Sequence, residues 1–264
     1  MPRLKVTRDA GKLKKLNDLI EQVRVHRDRN VSPTGAVWLR GLAGDSHDLR
    51  PSIGRKHFFV GKKIDLNRDA ECRLLHQFRR YAYQFFGRTL TEWEAIFVAR
   101  HHGLPVRLLD WTSDPLAAMY FACAFNKRDY LTDARVWLLI PAKKRRHLDV
   151  FRDRKGPLNV KGLRIIYPMV VAERINAQSG LFTIQEDPWR NLDQFETIAF
   201  DEKDLDILRL VEFKIPASKR ADIVKELNDL GVNERTLYPD LDGLARGLVT
   251  AQILRGPPGA IGAV

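Results

Sequence analysis

Leu13, Leu16, Ile20 and Val23 fall on one stripe with charged residues between them, a spacing that predicts an amphipathic helix over 12–29, ended by Asn30, Ser32, Pro33 and Gly35. Residues 36–39 read as a short strand. A long helix is predicted over 67–86, with Leu74, Phe78, Tyr81 and Phe85 on one face, and another over 91–101 that Gly103 and Pro105 break. A short buried strand follows at 106–109. Asp114 and Pro115 form an N-cap and first-turn pair for a helix running to Phe125. Further strands are predicted at 135–140, 163–167, 181–185 and 207–215, then helices at 218–230 and 241–248. The Gly/Pro-rich end GPPGAIGAV predicts a flexible tail. The resulting layout is an N-terminal helical extension (1–30), one mixed domain (31–249) and the tail (250–264).

Composition narrows the class. With 264 residues, 44% of them apolar and 30% charged, the chain can bury a sizeable core and shows no long stretch too polar to fold. The densest apolar run, 116–125, is about half the length of a bilayer span, and no apolar signal core follows the N-terminus. Cys72 and Cys123 each lie in a predicted helix without a CxxC partner, so neither a disulfide framework nor a metal site is expected, and the predicted address is cytoplasmic. Phosphate loops of the GxxxxGK type, GxSxG elbows and HExxH pairs do not occur. Lysine and arginine total 45 against 33 acidic residues, a net charge of +12 that favours an acidic partner. Lys143, Lys144, Arg145 and Arg146, followed by Arg152, Arg154 and Lys155, concentrate that charge in one polar segment, the candidate contact to nucleic acid. A solvated loop is the alternative reading of the same segment.

Two segments carry candidate chemistry. Arg40 ends a short apolar run and Gly41 follows, an arrangement suited to gripping a phosphate or carboxylate where backbone or ligand approaches closely. The structural alternative for Arg40 is pairing with a core carboxylate such as Glu71 or Asp110. From His101 to Pro115, polar and titratable side chains crowd a short strand that feeds a helix N-terminus, where unpaired N–H groups and the helix dipole favour an anion. Capping accounts for Asp114 and part of Ser113, but leaves His101, His102, Arg107 and Asp110 without a common reason. Two adjacent histidines do not share one helix face, which favours His102, at the loop, as the functional one and His101 as structural.

The stretch HHGLPVRLLDWTSDPLAAMYFACAF resembles the signature of the FRG domain, a bacterial and phage family. Trp38-Leu39-Arg40-Gly41 resembles that family's aromatic-Arg-Gly motif with Leu39 in place of the aromatic residue, and Arg100 stands where the family has glutamine. Glu71 resembles the acidic residue of its first long helix. Arg174, Gln178, Gly180 and Phe182 resemble its RxxxQxGxF segment, and GVNERTLYPDLDGLARGL its closing helices. The resemblance runs from about Ala36 to Leu248.

The order of these motifs is similar to that of ADP-ribosyltransferases, and this likeness implies the fold and the function. The expected fold is α+β, a single mixed domain with an ADP-ribosyltransferase-like split sheet and flanking helices, plus the N-terminal helical extension. The cofactor implied is NAD, bound by Arg40, Gly41, Thr112 and Ser113, with His102, Asp110 and Gln178 as the catalytic set. Breaking the nicotinamide bond develops positive charge on the ribose, so a carboxylate is wanted there. Gln178 stands where many transferases have glutamate, which moves that role to Asp110, Glu173 or Glu186. The chain's positive charge makes nucleic acid the expected acceptor, with protein as the alternative; a toxin or phage-defence effector is the implied role, and an inhibitory partner protein is a further candidate partner. The rivals are a non-enzymatic nucleic-acid-binding module and a nuclease or hydrolase that uses His101 and His102 without NAD.

Overall fold

The two longest apolar runs pair with each other. β6 (Ala134–Pro141) and β9 (Ile207–Ile215) lie antiparallel, with a bulge between Ile140 and Pro141. Val136, Leu138 and Ile140 face one core while Trp137 and Leu139 face another, so a strand covered on both sides reads as continuously apolar. β1 (Lys5–Thr7) adds to β9 in parallel, and β2 (Trp38–Leu42) adds to β6 antiparallel. β5 (Leu108–Thr112), β8 (Gly180–Gln185) and β7 (Leu163–Ile166) complete a seven-stranded mixed sheet in the order β1-β9-β6-β2-β5-β8-β7. β3 (His57–Phe59) and β4 (Lys62–Ile64) form a separate pair. The computed structural model describes residues 2–29, 36–44, 48–59, 62–124, 131–142, 148–168 and 180–254.

The sheet all but divides between β2 and β5. Leu39 against Thr112 is the one matched position there, whereas β2 matches β6, and β5 matches β8, at five positions each. On one face, α1 (Leu16–Arg29), α4 (Pro115–Cys123) and α5 (Ala217–Asp229) pack Leu16, Leu19, Met119, Ile223 and Leu227 against Leu39, Val136 and Phe213. α4 is apolar all round and accordingly buried. α2 (Arg68–Phe86) and α3 (Glu92–His101) cover the β5-β8-β7 side through Leu75, Ile96 and Phe97 on Ile166, Phe182 and Ile184. α3 opens with a reciprocal capping box between Thr91 and Glu94, whose carboxyl the hydrogen-bonded Arg88 holds down to about 2. α6 (Glu234–Leu237) and α7 (Leu241–Leu254) close the described chain.

This is a single α+β domain, as the pattern predicts. The first 30 residues contribute α1 and also β1, a sheet edge too short to show alternation in sequence. α7 runs six residues beyond its predicted end at 248, into the stretch predicted as tail, because nothing breaks it before Gly256; Thr250 in its last turns donates to Glu234 Oε1 at 3.1 Å. The tail from 255 lies outside the described residues. α2 is turned relative to its predicted stripe: Glu71, Leu75 and Ala82 face inward with Phe78 beside them, while Tyr81 and Phe85 stand in solvent.

Candidate functional site

Beyond the single match at Leu39, the ladder between β2 and β5 stops and a side chain takes over. Arg40 Nη1 donates to the Asp110 backbone carbonyl at 2.7 Å and lies 3.6 Å from its Oδ2. The last turn of α3 brings Arg100 to the same carboxylate, with Nε on Oδ1 at 3.2 Å and Nη2 on Oδ2 at 2.5 Å, a bidentate pair. Gly103, at φ 82°, turns the chain from α3 into the approach to β5, a backbone region that favours glycine. Gly41 faces the other way: a Cβ there would run into Ala118 O and Ala122 N, so this glycine admits the backbone of α4.

These groups line a cleft of about 400 Å³ at the parting of the sheet. Arg40, Arg100 and Asp110 supply its charge, and Phe97, Trp111, Phe121, Phe182 and Tyr238 supply aromatic walls, with the Phe121 and Tyr238 rings edge-to-face at 6.2 Å. Thr112, His101, Gly103 and Gly180 complete the rim.

Charge in the cleft is unbalanced towards cations. Burial lowers the Arg40 guanidinium to about 10, with Asp110 opposing and Arg55 and Arg100 adding to the fall. Burial likewise lowers Arg55, which feels Asp48 and Asp110 on one side and Arg100 and Arg50 on the other. Two guanidiniums, Arg40 and Arg100, therefore converge on Asp110. Burial works against ionisation of that carboxyl, but Arg100 and Arg40 outweigh it and hold it below the usual range. Arg40 Nε is a buried donor without a hydrogen-bond partner among the described residues. An anion entering the cleft would meet a surplus of positive charge.

The depressed Asp110 carboxyl has a direction in pH. Its stabilisation is fully present above the ordinary aspartate value of about 3.9 and is lost as pH falls through the lower folded value. Wild type is accordingly expected to melt above Asp110→Asn at neutral pH, with the gap closing below about pH 4, as followed by thermal denaturation across that range.

The structure brings together Arg40, Gly41, Asp110 and Thr112 of the residues singled out from sequence. Of the two histidines it is His101 that lines the cleft; His102 caps α3 and is exposed, because the helix ends one residue before it. Ser113 is exposed and outside the lining. The N-terminus of α4 is taken up by its own cap, with Asp114 accepting from Leu116 N and Thr112 Oγ1 from Asp114 N, and the positive charge lining the cleft comes from arginine side chains instead. Glu186 lies at the end of β8, paired with Lys161 at 2.5 Å and away from the lining. Glu173, Gln178 and the basic run Lys143, Lys144, Arg145 and Arg146 lie outside the described residues. Arg107 is not a site residue: both it and Glu71 are buried, joined at 2.7 and 2.5 Å, and they lock α2 to the approach to β5.

Sequence reasoning did not single out Arg55, Phe121 or Tyr238. Arg100 did carry a signal, since it departs from the glutamine of the motif it otherwise follows.

Among the described residues, no group of three or more His, Cys, Asp or Glu is arranged to hold a metal ion, and no helix is long and apolar enough to cross a membrane. Residues 35–130 match the family model of the FRG domain, a span that holds Arg40, Gly41, Glu71, Arg100, Arg107, Asp110 and Thr112 and leaves Gly180 and Tyr238 outside it. No curated protein and no solved structure matches the chain.

Proposed function

We propose that the cleft, centred on the FRG-domain segment, takes NAD, and that the chain is an ADP-ribosyltransferase acting on nucleic acid in the cytoplasm, in a toxin or phage-defence role. The observation that carries this reading is the joining of a cationic floor to aromatic walls. Arg40 and Arg100 suit a diphosphate, while Phe121 and Tyr238 suit a flat heterocycle, and a dinucleotide bears both.

NAD supplies an anomeric carbon whose bond to nicotinamide breaks with the electron pair leaving on the nicotinamide nitrogen, while the acceptor bonds to that carbon and gives up a proton. The chain's part is to bind and orient. Arg40, a lining guanidinium held by the Asp110 carbonyl, grips phosphate where the strands part. Asp110 is a positioning residue, since two guanidiniums neutralise its carboxylate and fix their own direction through it. His101, on the rim, is the lining side chain suited to take the acceptor's proton. A second reading, NAD binding without transfer, draws on that same neutralisation of Asp110, which leaves the described lining without a free carboxylate to face a developing cation.

Calorimetric titration with NAD tests the site. Wild type is expected to bind, and Arg40→Ala to bind about tenfold or more weakly, the loss of a charge-assisted contact worth roughly 1.5–3 kcal/mol. Nicotinamide release in the presence of RNA or DNA distinguishes transfer from binding alone. Equal affinity of wild type and Arg40→Ala would remove the arginine from the phosphate.

A further inference from the structure

We infer that the outer face of α2 is a docking platform for single-stranded nucleic acid, an assignment that rests on the nucleic-acid acceptor proposed above. Residues 72–91 contain Arg73, Arg79, Arg80 and Arg88 and five aromatic side chains, without one aspartate or glutamate. Four of those aromatics stand in solvent: Tyr81 is 60% exposed, Tyr83 55%, Phe85 78% and Phe86 46%. Single exposed apolar residues are ordinary, but four within six positions form a patch of the kind that marks an interaction surface. Arg79 and Arg88 are engaged locally, with Glu92 and Glu94. Arg73 and Arg80 have no carboxylate partner among the described residues, and the Arg80 guanidinium lies over the Tyr81 ring at 4.9 Å while donating to its hydroxyl at 3.0 Å.

Helical spacing arranges these groups. Arg73, Gln77, Arg80 and Gln84 form one outward ridge at steps of four, three and four, and Tyr81 and Tyr83 flank it on opposite sides. A cationic ridge between aromatic rings fits a strand whose phosphates meet arginine and whose unstacked bases lie on the rings. A duplex keeps its base faces hidden from such rings. A second copy of this chain would bring arginine against arginine, so charge argues against self-association here. The platform also leads to the cleft: α3 packs along α2, is about 15 Å long by its ten residues, and ends in Arg100 and His101 on the cleft rim.

Fluorescence anisotropy on the full chain, without NAD, tests the assignment with labelled oligo-uridine and oligo-thymidine of about 15 nucleotides. Tyr81→Ala and Tyr83→Ala are each expected to weaken binding about fivefold or more, whereas Tyr81→Phe, which keeps the ring, retains wild-type affinity. Arg73→Gln with Arg80→Gln should lower the magnitude of the log–log salt slope by about 1.4 on a single strand. All four side chains are exposed, so circular dichroism is expected to stay unchanged. Binding that is indifferent to both alanine variants overturns the platform and leaves the nucleic-acid reading standing, with the strand elsewhere on the chain. Failure of the wild type to bind either oligonucleotide at low salt overturns both. Tighter binding of duplex than of single strand, or a self-association seen by sedimentation that the alanine variants abolish, also overturns the platform, the latter by making the face a protein interface.

Discussion

Glu71→Ala is expected to destabilise the fold by about 3–5 kcal/mol, because it leaves the Arg107 guanidinium buried and uncompensated. Neither partner reaches water: their side chains are 4% and 1% exposed. For a domain of this size the loss corresponds to a fall in Tm of roughly 10 °C. Arg107→Ala should cost a similar amount by orphaning the carboxylate. Replacing both with methionine should recover most of it, since the price of a buried ion pair is desolvation and a packed apolar pair avoids it. Chemical denaturation of the two single variants and the double closes the cycle. Single variants as stable as wild type would mean that water reaches the pair in solution.

The second large effect is expected at Gly41. A methyl group there meets backbone on α4, Ala118 O and Ala122 N, and neither can swing aside as a side chain would. Overpacking against a fixed element costs 1–3 kcal/mol and occasionally more, so Gly41→Ala is expected at about 3 kcal/mol. The alternative to that cost is displacement of α4, which would carry Phe121 away from Tyr238 and widen the cleft. Tm and NAD affinity should therefore fall together in Gly41→Ala, whereas in Arg40→Ala affinity should fall much further than stability. A Gly41→Ala protein with unaltered Tm would show that β2 and α4 are more loosely held than their contact implies.

Much of this architecture is legible in the sequence, and the failures share a cause. The apolar runs of β6 and β9, the cap of α4 at Asp114 and Pro115 and the break after α3 at Gly103 are local, and each is readable from its own residues. The register of α2 was not. Apolar spacing pointed to Leu74, Phe78, Tyr81 and Phe85, but the helix is turned by burying Glu71 on Arg107, a partner 36 positions away that no periodicity reveals. In the site, Arg40 and Asp110 were legible as a suitable pair of residue types, and the question of whether Arg40 grips a carboxylate or a ligand resolves as Asp110 with one N–H to spare. Of the two histidines, His101 lines the cleft and His102 caps α3, a difference of one residue at a helix end that the spacing of apolar positions does not set. Phe121 and Tyr238 were invisible because an aromatic in an apolar helix or a closing turn reads as ordinary core.

The parallel pairing of β1 with β9 sets the order in which the chain can be completed. Lys5 lies against Arg209, 204 positions further along, and Thr7 against Val211, so β1 has no partner among the described strands until β9 has been made. β9 sits between β1 and β6, and until it arrives the β6 edge is exposed to other chains. Parallel, long-separation pairing is slow because loop closure precedes any reward from contact. Tyr238, which walls the cleft, follows β9 in the chain. The cleft therefore receives this wall only after the strand that joins β1 to β6 has been made.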